Sequence, residues 1–559
     1  MKTLKKLSIA IILLFSIKLQ AQTISNHFFG QNAWMPDTIG NASNCIEPPC
    51  ILYGKLNTQW GNIRDSKASI IRFGGIASDK NMPTDYQYIK MIDSIRANGM
   101  EPIIQVPFRN YRYTAQQAAD IVKFINITSH KNIKYWIIGN EPDLGYSYTT
   151  AGQIAAYIRT FSSAMKVIDP SILIIGPECA SFNQTIMSGL TTPNGPDDIT
   201  GKDSYGNYYI DIISFHTYPF DGSQSRAQVI SKLTSPGSLQ DNLIYLNTRI
   251  ANCNSAHNRP AIKLAITEAN INWQNNMSDN INGVGANSFI GGQFWAEMIG
   301  IAMKNGVDFI NFWSVLEGNN TQTDIGYISS QTNIKKSSYY HFQLLAENFK
   351  GTYVNGITNQ PNVKSFGCQS NGQTCVLILN QDMTNHNYTL KLNTTAIAGS
   401  NPLKININAG LNVADYTDII QGQSSILLVF DVAGNIVKKY EYSIANTLAN
   451  LPPTLTQYNT TTSVPETHIN LDFNIEKLYP NPTNGKFTIQ LTNDNPNEVK
   501  YEIEVFNMGG QLVLTKSSAS FSKGKEEIDL LFTSMADGLY IVRVKQGENM
   551  KTAKVILVK

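Results

Sequence analysis

The sequence predicts an α/β protein: a (β/α)8 TIM barrel, then a β-sandwich domain, then a small all-β domain at the C-terminus. Three observations carry this. From Asn26 to about Asn348, short apolar strands alternate with amphipathic helical stretches. From 352 to 445 the texture changes to short alternating segments with polar turns between them. A Thr-, Asn- and Pro-rich stretch without periodicity, 446–475, then reads as a linker before a last run of short strands. A chain of 559 residues is too long for one core, which agrees with such a division. The segments expected are 1–21, 22–345, 346–445, 446–475 and 476–559.

The first segment opens with Lys2, Lys5 and Lys6, continues with an apolar run from Leu7 to Ile17, and reaches a small residue at Ala21. A basic start, a short apolar centre and a small residue read as a cleaved signal peptide for export. The run is too short to span a bilayer, and no other segment is apolar enough for a transmembrane helix.

The barrel is justified strand by strand. Its candidates are HFFGQNAW (27–34), SIIRFGG (69–75), EPIIQVP (101–107), KYWIIGNEP (134–142), SILIIGPE (171–178), YIDIISFHTYP (209–219), KLAITEANI (263–271) and FINFWSVLEG (309–318). Helical patterns lie between them, among them DYQYIKMIDSIRANG, TAQQAADIVKFINI, AGQIAAYIRTFSSAMKVI and FIGGQFWAEMIGIAMKNG. Near-continuous apolar strands belong in a parallel sheet covered on both faces, and eight β-then-α units close a barrel. A doubly wound open sheet would carry a Gly-rich turn after its first strand, and FFGQNAW has none. SSYYHFQLLAENFKG (337–351) ends the barrel, and CVLILNQ, YTLKLN, KININA and SILLVFDV supply the sandwich.

Net charge is only +2, so nucleic acid and anionic membranes are not expected partners. Export permits disulfides. Among six cysteines, Cys45/Cys50 and Cys368/Cys375 are close enough in sequence to staple single loops, which would leave Cys179 with Cys253; six cysteines allow 15 pairings. No Cys or Cys/His spacing points to a metal site, and no cofactor is expected.

A barrel of this kind builds its site at the C-terminal ends of its strands. Strand 2 ends near Arg72, strand 4 delivers Asn140 and Glu141, strand 6 His216 and Tyr218, strand 7 Glu268 and strand 8 Trp313. His216 and Tyr218 are two positions apart, so both point to one side of the strand. Two carboxyl groups in one mouth are the machinery of glycoside hydrolysis, one protonated to assist the leaving oxygen and one ionised to attack the anomeric carbon. Glu178 and Glu317, at the ends of strands 5 and 8, are rivals for these roles, and Asp143 reads as a loop cap or a substrate contact. Trp313 and Trp273 sit where indole rings can stack on sugar faces; Trp136 and Trp295 read as core. FRNYRY (108–113) offers Arg109, Tyr111 and Tyr113 as a second wall or a solvated loop.

These motifs resemble clan A of the glycoside hydrolases, the retaining (β/α)8 enzymes, over residues 27–345. GNEP on the fourth strand, FHTY on the sixth and ITEA on the seventh carry the resemblance. It implies Glu141 as acid/base, Asn140 as a 2-hydroxyl contact and Glu268 as nucleophile. It also implies Arg72 and Tyr218 holding Glu268 ionised, His216 contacting the acid/base or substrate, and Trp313 flooring the first subsite. The expected substrate is a polysaccharide or its oligosaccharides, with exo-acting glucuronidase or arabinofuranosidase activity, or a non-catalytic glycan-binding role, as alternatives. On this mechanism Glu268 should have a low pKa and Glu141 a raised one.

Residues 476–559 resemble the C-terminal sorting domain of type IX secretion. LYPNPTNGKFTI (478–489), IEVFNMGGQLV (503–513), MADGLYIVRV (535–544) and the terminal KVILVK carry it. The resemblance implies Sec export, delivery to the cell surface or medium, and the type IX machinery as a partner.

Overall fold

The structure, a computed structural model, describes residues 22–33, 56, 58–144, 150–393, 402–458, 473–493, 500–507, 511–517, 523–532, 535–546 and 549–559. The expected signal peptide, Trp34, Cys45 and Cys50 lie outside them. The chain divides into two compact units, Met1–Thr460 and Thr461–Lys559.

The first unit begins with a closed barrel of eight parallel strands in chain order, β1 (Phe29–Ala33), β2 (Ile70–Phe73), β3 (Glu101–Val106), β4 (Tyr135–Ile138), β5 (Leu173–Cys179), β6 (Ile212–Thr217), β7 (Lys263–Ala269) and β8 (Phe309–Phe312). All eight fall where the apolar runs place them. The intervening helices start on readable signals. Thr84, Thr114 and Thr150 each accept from the backbone N–H of a Gln three residues on, whose side chain reaches back to the cap. Such a reciprocal cap is worth about 1 kcal/mol. The helix from Ala151 to Ile168 matches its apolar pattern end to end. The stretch expected to be helical over 114–127 is α-helical only for Ala115–Val122 and then π-helical for Lys123–Thr128. There Asn126 turns inward, its side chain bonding both N–H and C=O of Ile133.

Strand alternation sorts the barrel into an apolar bottom and a polar top. Ile70, Ile103, Tyr135, Ile137, Ile175, Ile212, Ala265 and Phe309 pack as one interior cluster. Two residues further along several strands, the interior positions become Arg72, Gln105, Ser214, Thr267 and Asn311, all buried. The outward residues, such as Ile71, Phe73, Ile104, Trp136 and Ile174, pack against the helices, and Trp295 joins them from a helix. Each such buried side chain contributes about 1.5–3 kcal/mol.

Two sheets follow the barrel within the same unit. Their strands are β9 (Thr352–Val354), β10 (Gly356–Thr358), β11 (Val363–Ser370), β12 (Gln373–Asn380), β13 (His386–Lys391), β14 (Leu403–Ile407), β15 (Tyr416–Ile420), β16 (Ser424–Phe430), β17 (Ile436–Ser443) and β18 (Thr454–Gln457). The six-stranded sheet runs β18-β17-β16-β12-β11-β9 and the four-stranded one β10-β14-β13-β15. Residues Ile444–Leu448 form a short helix, and β18 pairs with β17, so the first part of the expected linker is built into this sheet. Two of the expected pairings, Cys368 with Cys375 and Cys179 with Cys253, are corrected: all four cysteines are free and buried. Cys253 donates to the carbonyl of Thr191 instead. Cys368 and Cys375 face each other across β11 and β12, a hairpin already closed by Asn371 and Gly372, both at positive φ.

The second unit holds β19 (Phe473–Tyr479), β20 (Lys486–Asn493), β21 (Glu502–Asn507), β22 (Leu512–Ser517), β23 (Gly524–Leu531), β24 (Gly538–Gln546) and β25 (Asn549–Leu557). They form sheets ordered β19-β20-β23 and β22-β21-β24-β25 around a core that includes Phe487, Ile503, Val542 and Val555. No helix among the described residues is long and apolar enough to cross a membrane.

Candidate active site

At the polar end of the barrel, two bulges decide which side chains turn inward. Pro177 pairs with Ser214 and Cys179 with Phe215, so Glu178 is the extra residue of β5, and its φ is 62°. Phe215 pairs with Ile266 and His216 with Glu268, so β7 carries an extra residue at Thr267. Successive side chains Thr267 and Glu268 therefore both reach the central cluster, which a regular strand would forbid. After β4 the chain turns through Gly139 and Glu141 at φ of 74° and 46°, and Glu141 N–H donates to Glu178 O at 3.0 Å. A Cβ on Gly139 would approach Phe108 to 2.9 Å, so the turn also needs the missing side chain. Asp143 accepts from Ala180 N–H at 2.8 Å, which ties the same two loops together, as a loop cap would.

Arg72, fully buried, is the hub. It donates to Glu268 at 2.7 Å, Asn140 at 2.7 Å, Asn32 at 3.0 Å, Glu178 at 3.1 Å and Gln105 at 3.3 Å. Tyr218 donates its hydroxyl to the other Glu268 oxygen at 2.7 Å. His216 Nδ1 lies 2.9 Å from Glu141 and 3.4 Å from Glu268, and its Nε2 3.3 Å from Glu178. An oxygen of Glu141, an oxygen of Glu268 and a ring nitrogen of His216 lie within 4.8 Å of one another. That convergence would also suit a cation, although Arg72 and His216 already bring positive charge to it.

Burial dominates the electrostatics. Loss of water pushes the Glu268 carboxyl up, and Glu141 pushes the same way, against the pull of His216, Arg72 and Tyr218; its pKa is raised. This corrects the expected low value, because the expectation counted the partners and not the desolvation. Burial alone would discharge His216, but Glu268, Glu141 and Glu178 overcome it and push the imidazole up to about 10. Burial would likewise raise Glu178, yet Arg72, His216 and Ser214 hold it at about 2.

A cavity of ≈ 550 Å³ opens over this cluster, lined by Asn140, Glu141, Tyr218, Glu268, Trp273, Trp313 and Glu317, with Ile76, Leu144, Ala180, Ser181 and Ile325. Trp313 is nearly buried and lies across Gly75, where a Cβ would come within 2.7 Å of its ring; Gly75 has φ of 103°. Trp273 is 56% exposed at the rim. The structure thus brings together all eight residues singled out by position: Arg72, Asn140, Glu141, His216, Tyr218, Glu268, Trp273 and Trp313. Arg109, Tyr111 and Tyr113 do not line the cavity. Tyr113 is buried and bonded to the backbone of Lys80 and Met82, which corrects its reading as a binding wall. Asn32, Gln105, Ser214 and Thr267 belong to the cluster and were not foreseen. For Gln105, Ser214 and Thr267 the signal was a polar residue two positions beyond an interior apolar one; Asn32 follows Gly30 and carried no such signal. Glu178 reaches the cluster from beneath, without lining the cavity.

Comparison with known proteins agrees with this architecture. Residues 477–559 match the family described as the secretion system C-terminal sorting domain. No curated protein matches the chain. A family 51 α-L-arabinofuranosidase from Bifidobacterium longum superposes with a TM-score of 0.54 at 14% identity, over 73% of this chain and 97% of that one. An α-L-arabinofuranosidase from Thermotoga maritima, in complex with arabinose, superposes with a TM-score of 0.51 at 16% identity, over 76% of this chain and 95% of that one. At such identities the likeness is one of fold.

Proposed function

We propose that the barrel is a retaining glycoside hydrolase, acting on a polysaccharide or its oligosaccharides, with Glu268 as nucleophile and Glu141 as acid and base. The observation that carries this reading is that one carboxyl oxygen of each lies within 4.8 Å of the other, beside an open cavity. Carboxyl groups about 5–5.5 Å apart suit direct attack on the anomeric carbon, whereas inversion needs about 6.5–9.5 Å to admit a water.

In the first step a Glu268 oxygen bonds to the anomeric carbon, the bond to the leaving oxygen breaks, and Glu141 gives that oxygen its proton. In the second, water attacks the same carbon, its proton passes to Glu141, and Glu268 is released. Arg72 and Tyr218 each bind one oxygen of Glu268, so the attacking carboxylate is aimed before substrate arrives. Asn140 gives its carbonyl to Arg72, leaving its amide N–H groups for a sugar hydroxyl. Trp313 offers an apolar platform under the reacting sugar, and the exposed ring of Trp273 offers a second for the leaving part of an oligosaccharide.

Three carboxyl groups, Glu141, Glu268 and Glu317, face the cavity. Fold neighbours that cleave arabinofuranosides make aryl α-L-arabinofuranosides the first substrates to test, followed by xylosides, glucosides and glucuronides. Proton NMR of the first-formed product should show a retained anomer, and Glu141→Gln should lower turnover by about 10²–10⁴-fold. An inverted product, or a Glu141→Gln rate equal to wild type, contradicts the assignment. The sorting domain supports secretion. The route we propose is a signal peptide over 1–21 followed by type IX export to the surface or medium.

A further inference from the structure

Glu178 has an arrangement that the two-carboxylate reaction does not call for. Its side chain is fully buried, it sits at positive φ on the bulge of β5, and it stays out of the cavity lining. Each of its oxygens has two partners: the donating Ser214 and Thr267 hydroxyls on one, and the donating Arg72 guanidinium and the His216 Nε2 ring nitrogen on the other. Three donors, one of them the permanently charged Arg72 guanidinium at the oxygen that Nε2 faces, hold this carboxyl as a carboxylate. An ionised carboxylate only accepts, so the His216 Nε2 beside it must carry hydrogen. The other ring nitrogen, Nδ1, is then the one that faces Glu141 at 2.9 Å.

We propose that Glu178 is a positioning residue that pins His216 in the Nε2–H form, so that His216 Nδ1 and Glu141 share one proton. The kinetic consequence rests on the glycosidase reading; the tautomer does not. The shared proton leaves with the departing oxygen. A Glu141 carboxylate then faces a bare Nδ1 lone pair, and the pair regains its proton from the attacking water, so the balance closes over one turnover. The charged or titratable groups around His216 are Arg72 from β2, Glu141 and Asp143 from the loop after β4, Glu178 from β5, Tyr218 beyond β6 and Glu268 from β7. Among them Glu178 is the partner at Nε2.

The test is Glu178→Gln in the full chain. An amide keeps an acceptor for Ser214 and Thr267 but turns N–H groups toward Arg72 and His216. The ring must then present its Nε2 lone pair and move hydrogen to Nδ1, where it can only donate to Glu141. In ¹⁵N-histidine-labelled protein, with His216 assigned by its loss in His216→Asn, wild type should show Nε2–H throughout about pH 5–8, and Glu178→Gln should show the opposite tautomer. With phenyl and 2,4-dinitrophenyl glycosides of the best sugar, Glu178→Gln should lose about 10²-fold or more on the phenyl substrate, which needs its leaving oxygen protonated. It should lose less than about 10-fold on the dinitrophenyl one, which does not. An unchanged tautomer, or equal losses on both substrates, overturns the proposal. If Glu178→Gln fails to fold, the wild-type spectrum decides, since an Nε2 without hydrogen overturns it alone. A wild type that cleaves no glycoside sinks the glycosidase reading, and the tautomer still judges Glu178.

Discussion

Glu268 takes a guanidinium on one oxygen and a phenol on the other, yet burial still holds its pKa above the ordinary 4.5. The nucleophile must be ionised, so activity should fall as pH drops through that raised value, placing the acid limb of kcat/KM above the usual carboxylate range. Tyr218→Phe removes a hydrogen bond that lowers this pKa, so the limb should move further up in a pH–rate series; a fixed or lowered limb contradicts the assignment. Stability should carry a matching signature. Glu178 is depressed from 4.5 to about 2, so its contribution is present above about pH 4.5 and is lost as pH falls toward 2. His216 is raised from 6.5 to about 10, so its contribution is present below pH 6.5 and is lost as pH rises through 10. Chemical denaturation across pH should show Glu178→Gln missing the acid-side loss; an unchanged profile contradicts it.

At the scale of elements, one helix ties the barrel to the sheets after it. From Phe289–Lys304, Gln293 donates to the carbonyls of Asn380 at 3.1 Å and Ser424 at 2.9 Å and to the Ser425 hydroxyl at 3.2 Å, all buried. Gln293→Leu leaves these acceptors without that donor, at a cost of about 1–3 kcal/mol. Thermal unfolding should drop by several degrees, and an unchanged midpoint contradicts the role. The eight barrel strands were legible because each is a short apolar run covered on both faces. The site residues were legible because strand ends must gather there. The sequence could not show the bulges: nothing in IGPEC or AITEA announces that a residue will be skipped in pairing, and that skip sends Glu178 beneath the site as an anchor for Arg72 and His216. The free thiols were illegible for a related reason. Proximity in sequence says nothing of how a strand ladder or a buried carbonyl will satisfy each cysteine.

At the scale of the whole molecule, the barrel with its sheets and the C-terminal unit have separate cores. Chemistry and delivery should therefore separate. Removing residues 461–559 should leave turnover intact and stop surface delivery, assayed by activity in cell fractions; loss of turnover in a well-folded truncate contradicts the division. The central claim is that Glu268 and Glu141 meet across one cavity as nucleophile and acid. The most direct measurement is the intact mass of the full chain after exposure to a 2-deoxy-2-fluoro glycoside with a dinitrophenyl leaving group, followed by peptide mapping. The account predicts one added glycosyl unit on the peptide holding Glu268 and none in Glu268→Ala. A label on another residue, or one that persists in Glu268→Ala, contradicts it.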